Sequence, residues 1–176
     1  MEILYYPSKD DFMWNDEICK ILPYTDGQGI DIGCGGRSIR PDIKRVDIDP
    51  EKEPDICCSG DEIPLPDESF DFVVAQHVLE HFEDQDKALK EWLRLLKKGG
   101  YLLIIHPDIN FTGAQLPPDK NPDLLAHPHN RHYHERYFTE FLSWINNRTH
   151  YGFNLANLGE AAPSWSFFLV LRKHKD

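Results

Sequence analysis

Gly29-Ile30-Asp31-Ile32-Gly33-Cys34-Gly35-Gly36 is the stretch on which the reading of this chain turns. Its first half is short and largely apolar, the pattern of a strand buried on both faces. Its second half is a run of small residues whose glycines admit left-handed backbone and close approach of another group. A strand running into such a loop is how open α/β sheets present a ligand at their carboxyl ends. The residue types narrow the ligand. A dinucleotide fingerprint wants glycine at 33, 35 and 38, but position 38 is Ser, and the acid closing the next strand, Asp47, comes only 14 residues after Gly33. Asp31, just before the loop, would repel a pyrophosphate and suits an ammonium or a sulfonium.

Working outward, Arg45–Ile48 predicts a second strand and Asp55–Cys58 a short third. Phe70–Ala75 is β-branched and reads as a central strand. Phe82 to Lys98 predicts a helix with Leu89, Trp92, Leu93 and Leu96 on its apolar face, stopped by Gly99-Gly100. Tyr101–Ile105 is another strand. Residues 107–135 hold five prolines and read as a long loop. Tyr137–Asn147 predicts a helix, and Tyr151–Leu158 and Trp165–Arg172 two closing strands around a Gly159–Pro163 turn. Residues 1–28 form a lead-in segment with a short helix around Asn15–Leu22, its face made by Trp14, Ile18, Ile21 and Leu22. Only 13 residues separate Gly33 from Asp47, Pro41 among them, so the first crossover helix must be truncated or irregular. The expected architecture is a single α/β domain over residues 1–176. It has a seven-stranded, mostly parallel sheet ending in an antiparallel hairpin, with helices on both faces.

The net charge is −11 over 176 residues. Residues 1–88 carry 22 of the 30 acids and 8 of the 19 bases, so the acidity is concentrated there. That argues against a nucleic-acid partner, whose affinity rests on phosphate neutralisation. No apolar run approaches the roughly 18 residues of a membrane span, and the first residues have no signal-peptide core. The expectation is a cytoplasmic chain with no membrane partner, a monomer or homodimer. The four cysteines form no CxxC and do not suggest a disulfide framework.

The Asp31-to-Gly36 motif resembles the first motif of class I S-adenosylmethionine-dependent methyltransferases, and later segments resemble that family's landmarks in order. They are Arg45-Val46-Asp47-Ile48-Asp49, Gly60 to Pro66, Ser69 to Val74, Gln76 to Phe82 and Leu96 to Leu102. The similarity is dense over residues 29–108 and resumes loosely at Tyr151-Gly152-Phe153. Within the family, His106-Pro107-Asp108 and the stretch His129 to Glu140 are similar to methyltransferases of sugars and natural products.

The resemblance implies S-adenosylmethionine as cofactor, a Rossmann-like fold, and transfer of a methyl group to a small-molecule acceptor, with oxygen expected as the attacked atom. It implies that Asp31 holds the methionine ammonium, that Gly33, Cys34 and Gly35 line the methionyl part, and that Asp47 takes the ribose hydroxyls with Ile48 beside it. Asp61, Glu62 and Ile63 fall at the adenine, and Gln76 and His77 beside the methionine amine. A hydroxyl acceptor needs a general base, for which histidine is the usual choice. The candidates are His106 and His77, with His81 and His132 behind them and Asp108 orienting a histidine or binding substrate. His81, His129 and His132 are the candidate acceptor contacts, and residues 107–135 the loop lining that site.

Other readings stand beside these. The chain could be a binding module that holds S-adenosylmethionine or S-adenosylhomocysteine without turnover. A nicotinamide oxidoreductase is disfavoured by Asp31 and Ser38. The cluster His127, His129, His132 and His134 could ligate Zn²⁺ or Ni²⁺, but no regular element sets its geometry, so no metal is expected. Asp71 reads as structural, one of Asp47 and Asp49 as a solvated acid, and Glu80 and His81 as alternative caps of the next helix.

Overall fold

The computed structural model describes residues 11–108, 138–162 and 166–175. Along the chain come α1 (Asp11–Ile21), β1 (Gly29–Ile32), β2 (Lys44–Asp47), β3 (Ile56–Cys57), β4 (Phe70–Gln76), α2 (Gln85–Leu95), β5 (Leu96–Pro107), α3 (Phe138–Asn146), β6 (Phe153–Ala162) and β7 (Ser166–Lys173). The seven strands form one sheet in the order β3-β2-β1-β4-β5-β7-β6. The first five strands run parallel, and β7 is antiparallel to both β5 and β6. The expected parallel sheet with a closing hairpin is therefore the observed one.

Burial on both faces explains the apolar strands. Ile30, Ile32, Val73, Ala75, Leu102 and Ile104 pack with α2 and α3 on one face; Phe72, Val74, Leu103 and Ile105 pack with Ile18 and Ile21 of α1 on the other. The predicted irregular crossover is present: no helix joins β1 to β2. Ile39 and Ile43 of that connection are buried in the α1-side cluster, where a crossover helix would have placed its apolar stripe. Arg40 fastens the segment through Asp42 and the Thr25 carbonyl.

The helix expected over 82–98 is shorter. Asp84 caps it by accepting the Lys87 amide at 2.9 Å, so neither Glu80 nor His81 is the cap. It ends at Leu95 because Leu96 turns extended and pairs with Phe70. The carbonyls of Arg94 and Leu95 then accept the amides of Glu68 and Ser69 instead of continuing the helix. Gly99 and Gly100 consequently lie inside β5, where a Cβ on Gly100 would stand 2.7 Å from the Asp71 carbonyl oxygen. Asp71 is structural, accepting the Gln28 amide at 2.8 Å and pairing with Lys97 at 2.9 Å. The residues expected to turn at 159–162 belong instead to the end of β6.

Candidate active site

The strand order reverses between β1 and β4, and the crevice outside the carboxyl ends of two such strands is where open α/β sheets bind ligands. The residues that follow these strands are Gly33 to Gly36 and His77 to His81. The two segments touch: a Cβ added to Gly33 would lie 2.3 Å from the Val78 side chain. Gly33, Gly35 and Gly36 all have positive φ, at 69°, 57° and 79°. Val46 of β2 holds the loop by accepting the amides of Gly33 and Cys34. Asp47 holds it from the side, its Oδ2 accepting the Gly35 amide at 2.8 Å and its Oδ1 the Asp49 amide at 3.0 Å. Asp49 in turn accepts the Glu51 amide and caps a short turn, which separates the roles of the two acids.

Asp31 lies on β1 between its partners Arg45 and Val74 and is 5 % exposed. Burial pushes its carboxyl up from 3.8 to about 7, against the opposing bond from the Ile39 amide. A buried acid in this state is stabilised by a cation brought to it. Gly35 has nothing within 4 Å of where a Cβ would stand, so the loop leaves an open cradle there. Ile48, directly after Asp47, is 68 % exposed, an uncovered apolar surface at the end of β2. A cation partner, a cradle and an apolar shelf fit the ammonium, chain and ring of S-adenosylmethionine. Cys34 is buried, and burial raises its thiol, so it lines the loop and is no nucleophile.

After β3, Trp92 Nε1 donates to the Gly60 carbonyl at 2.8 Å and pins the segment carrying Asp61, Glu62 and Ile63. Asp61 is held below the usual carboxylate range despite partial burial, by the Ser59 hydroxyl and by Lys87 at 3.0 Å. Glu62 projects to solvent at 84 %. Ile63 is buried in the core and its amide donates to Glu91.

The largest departure concerns the histidines. His106, expected at the mouth of the fifth strand, is fully buried in the core. Its ring stacks on Phe167 at 5.2 Å and lies 4.6 Å from Phe141, and Nδ1 is 2.8 Å from the Pro107 carbonyl oxygen. The physical reason is the pairing of β5 with β7, which sets His106 opposite Phe167 inside the aromatic core. Asp108 is half-buried just beyond β5. His77, by contrast, stands at the crevice with its side chain 27 % exposed. It has φ +50, a strained backbone for a residue with a Cβ, and its amide donates to the Ile105 carbonyl. Its Nε2 lies 2.8 Å from Glu17 Oε1, and Gln76 Nε2 donates to Glu17 Oε2 at 2.8 Å. His81 and the buried Glu80 complete the group, Glu80 Oε1 standing 3.9 Å from His77 Nδ1 and 4.0 Å from His81 Nε2.

Glu17 was not among the sequence candidates. Its signal was present: it sits midway along the apolar stripe of Trp14, Ile18 and Ile21, where a charged residue is out of pattern. His129, His132 and the remainder of the histidine cluster lie outside the described residues. No group of metal-ligating side chains assembles among the described residues. No helix among them is long and apolar enough to cross a membrane.

Residues 30–104 match the family model described as a methyltransferase domain. An uncharacterised protein of Methanocaldococcus jannaschii is 35 % identical over 89 residues, 44 % of this chain and 43 % of that protein. The chain thus matches less than half the length of such curated relatives. A SAM-dependent methyltransferase of Thermotoga maritima, described as a possible histamine N-methyltransferase, superposes with a TM-score of 0.64 at 24 % identity, over 94 % of this chain and 90 % of the other. The 1,6-didemethyltoxoflavin-N1-methyltransferase of Burkholderia thailandensis, solved with that substrate and S-adenosylhomocysteine bound, gives 0.67 at 14 % identity, over 94 % and 80 %. Residues 30–104 thus match the methyltransferase-domain family model, and the sheet that carries them has the fold of these S-adenosylmethionine-dependent methyltransferase structures.

Proposed function

We propose that the chain transfers a methyl group from S-adenosylmethionine to a small-molecule acceptor at an atom bearing a removable proton, a hydroxyl oxygen first. The observation that carries this is the buried Asp31 at the end of β1, beside a glycine loop open at Gly35. Asp31 binds the ammonium of the cofactor, directly or through water. Gly33, Cys34 and Gly35 admit its methionyl chain, Asp47 meets the ribose hydroxyls, and Ile48 lies against the adenine. Asp61, Glu62 and the buried Ile63 form the opposite wall, and Gln76 lies beside the methionine amine.

When bound, the cofactor supplies an electrophilic methyl on sulfur. The chain's contribution is alignment of the acceptor with that methyl, worth roughly 7–11 kcal/mol where geometry is well held. His77 takes the acceptor's proton. It is exposed to the crevice, whereas His106 is enclosed by Phe141 and Phe167. The same fold could bind the cofactor without turnover; the placement of His77 against a carboxylate favours turnover.

Calorimetric titration with S-adenosylhomocysteine, with NADH as control, tests the cofactor assignment. Saturable binding of the first alone supports it and opens an acceptor screen. Binding of NADH alone, or of neither, refutes it.

A further inference from the structure

Helix α1 precedes the family-matched segment, yet its Glu17 reaches the mouth of the crevice. From this geometry we infer that Glu17 is a positioning residue for methyl transfer, forming with His77 a carboxylate–imidazole dyad that fixes which ring nitrogen faces the acceptor. The inference rests on the proposed role of His77 and extends it to a helix outside residues 30–104.

The side chain of Glu17 is 3 % exposed. Removing a carboxylate from water is costly unless hydrogen-bond donors surround it. Glu17 collects three from separate residues: Gln76 Nε2 on Oε2, and His77 Nε2 and the Ser166 hydroxyl on Oε1. Burial alone would raise this carboxyl, but the bond to His77, its charge, and the bonds from Ser166 and Gln76 hold it below the usual range. Glu17 is therefore an ionised acceptor. By reciprocity it favours the protonated imidazole as strongly as that imidazole favours the carboxylate.

Location argues against a purely architectural role. Gln76 ends β4, His77 follows it, and Ser166 opens β7 opposite Pro107, so all three lie at the ligand-facing end of the sheet. His77 also carries a positive φ, and backbone strain of this kind clusters at functional sites. The bond to Glu17 commits the Nε2 proton, which leaves Nδ1 as the nitrogen that gains and loses a proton. During transfer the acceptor–methyl bond forms, the sulfur–methyl bond breaks, and the acceptor's proton passes to His77 Nδ1. The charged and titratable groups facing this imidazole, among the described residues, are Glu17 from α1 and Glu80 and His81 from the turn after β4. Among the described residues neither oxygen of the buried Glu80 has a hydrogen-bond donor, and Glu80 Oε1 stands 3.9 Å from Nδ1.

The test is a pH titration of His77 by nitrogen-15 NMR on the full chain, with the signal assigned through His77→Asn. The wild-type midpoint is expected at least about one pH unit above the ordinary histidine value of about 6.5, with Nε2 protonated in the neutral form. Glu17→Gln should lower it by about one unit or more, a tenfold loss in proton affinity, and let the two tautomers mix. Glu17→Asp keeps the charge but shortens the reach; it should give an intermediate midpoint and carries the test if the Gln variant fails to fold. An ordinary wild-type midpoint, or one that neither variant moves, overturns the dyad. S-adenosylhomocysteine titration of the same samples keeps the two readings apart: if wild type fails to bind it, the cofactor assignment falls whatever His77 does.

Discussion

The carboxylate of Asp47 and the amide of Gly35 are joined at 2.8 Å, so the end of β2 sets the shape of the loop that follows β1. One acid thus shapes the cradle and, in the proposed function, also meets the ribose. Asp47→Ala should weaken S-adenosylhomocysteine roughly 10- to 100-fold, the span expected for charge-assisted bonds. Asp47→Asn, which keeps one acceptor oxygen for the loop, should lose less. Calorimetry of both variants checks this; wild-type affinity in Asp47→Ala would remove Asp47 from the site.

Asp31 makes stability depend on pH. Folded Asp31 keeps its proton to about pH 7, whereas the unfolded carboxyl loses it near 3.8. Between those values the folded form binds more protons, so stability falls as pH rises and the penalty is complete above about 7. Its upper bound is about 4 kcal/mol. Asp31→Asn should melt close to wild type at pH 4 and several degrees higher at pH 8, while losing affinity for S-adenosylhomocysteine. Equal melting temperatures at pH 8 would contradict the buried charge.

The two loop glycines should separate strain from ligand space. Gly35→Ala places a methyl where nothing lies within 4 Å. Its cost to stability is the left-handed backbone alone, about 1 kcal/mol, yet it enters the cradle and should reduce S-adenosylhomocysteine affinity at least about tenfold. Gly33→Ala meets Val78 at 2.3 Å and should lower both stability and affinity. Thermal melts paired with titrations read the difference.

His106 and His77 should behave oppositely. His106→Ala opens a hole between Phe141 and Phe167 and should cost about 2–4 kcal/mol, with cofactor affinity nearly unchanged in the folded fraction. His77→Asn should leave affinity within about threefold, a difference under 1 kcal/mol, and suppress turnover of any acceptor found by screening. Turnover lost in His106→Ala but kept in His77→Asn would reverse the assignment of the base.

The strand sequence and the cradle were legible because they rest on local chemistry. The glycines after Ile32 and the β-branched run at Phe70 bear on backbone conformation and burial within a few residues. The first crossover was legible too, since 13 residues with Pro41 cannot make a strand connection and a full helix. What could not be read was register across distant strands. The aromatic contacts of His106 follow from the pairing of β5 with β7, and the partner of His77 lies 60 residues away on α1. The early end of α2 was also hidden, because the amides that take its last carbonyls, those of Glu68 and Ser69, come from the loop before β4.

The bond from Ser166 to Glu17 spans 149 positions, and Asn157 reaches Tyr24 across 133. Contacts of such separation carry a high loop-closure entropy and form late. During synthesis the glycine loop and its β2 anchor can therefore assemble while β6 and β7 are still unmade. A chain clipped before residue 166 would retain every residue assigned to the cofactor and lose one of the three donors around Glu17. On the proposed roles, competence to hold the methyl donor and competence to use it would be reached at different points in the making of the protein.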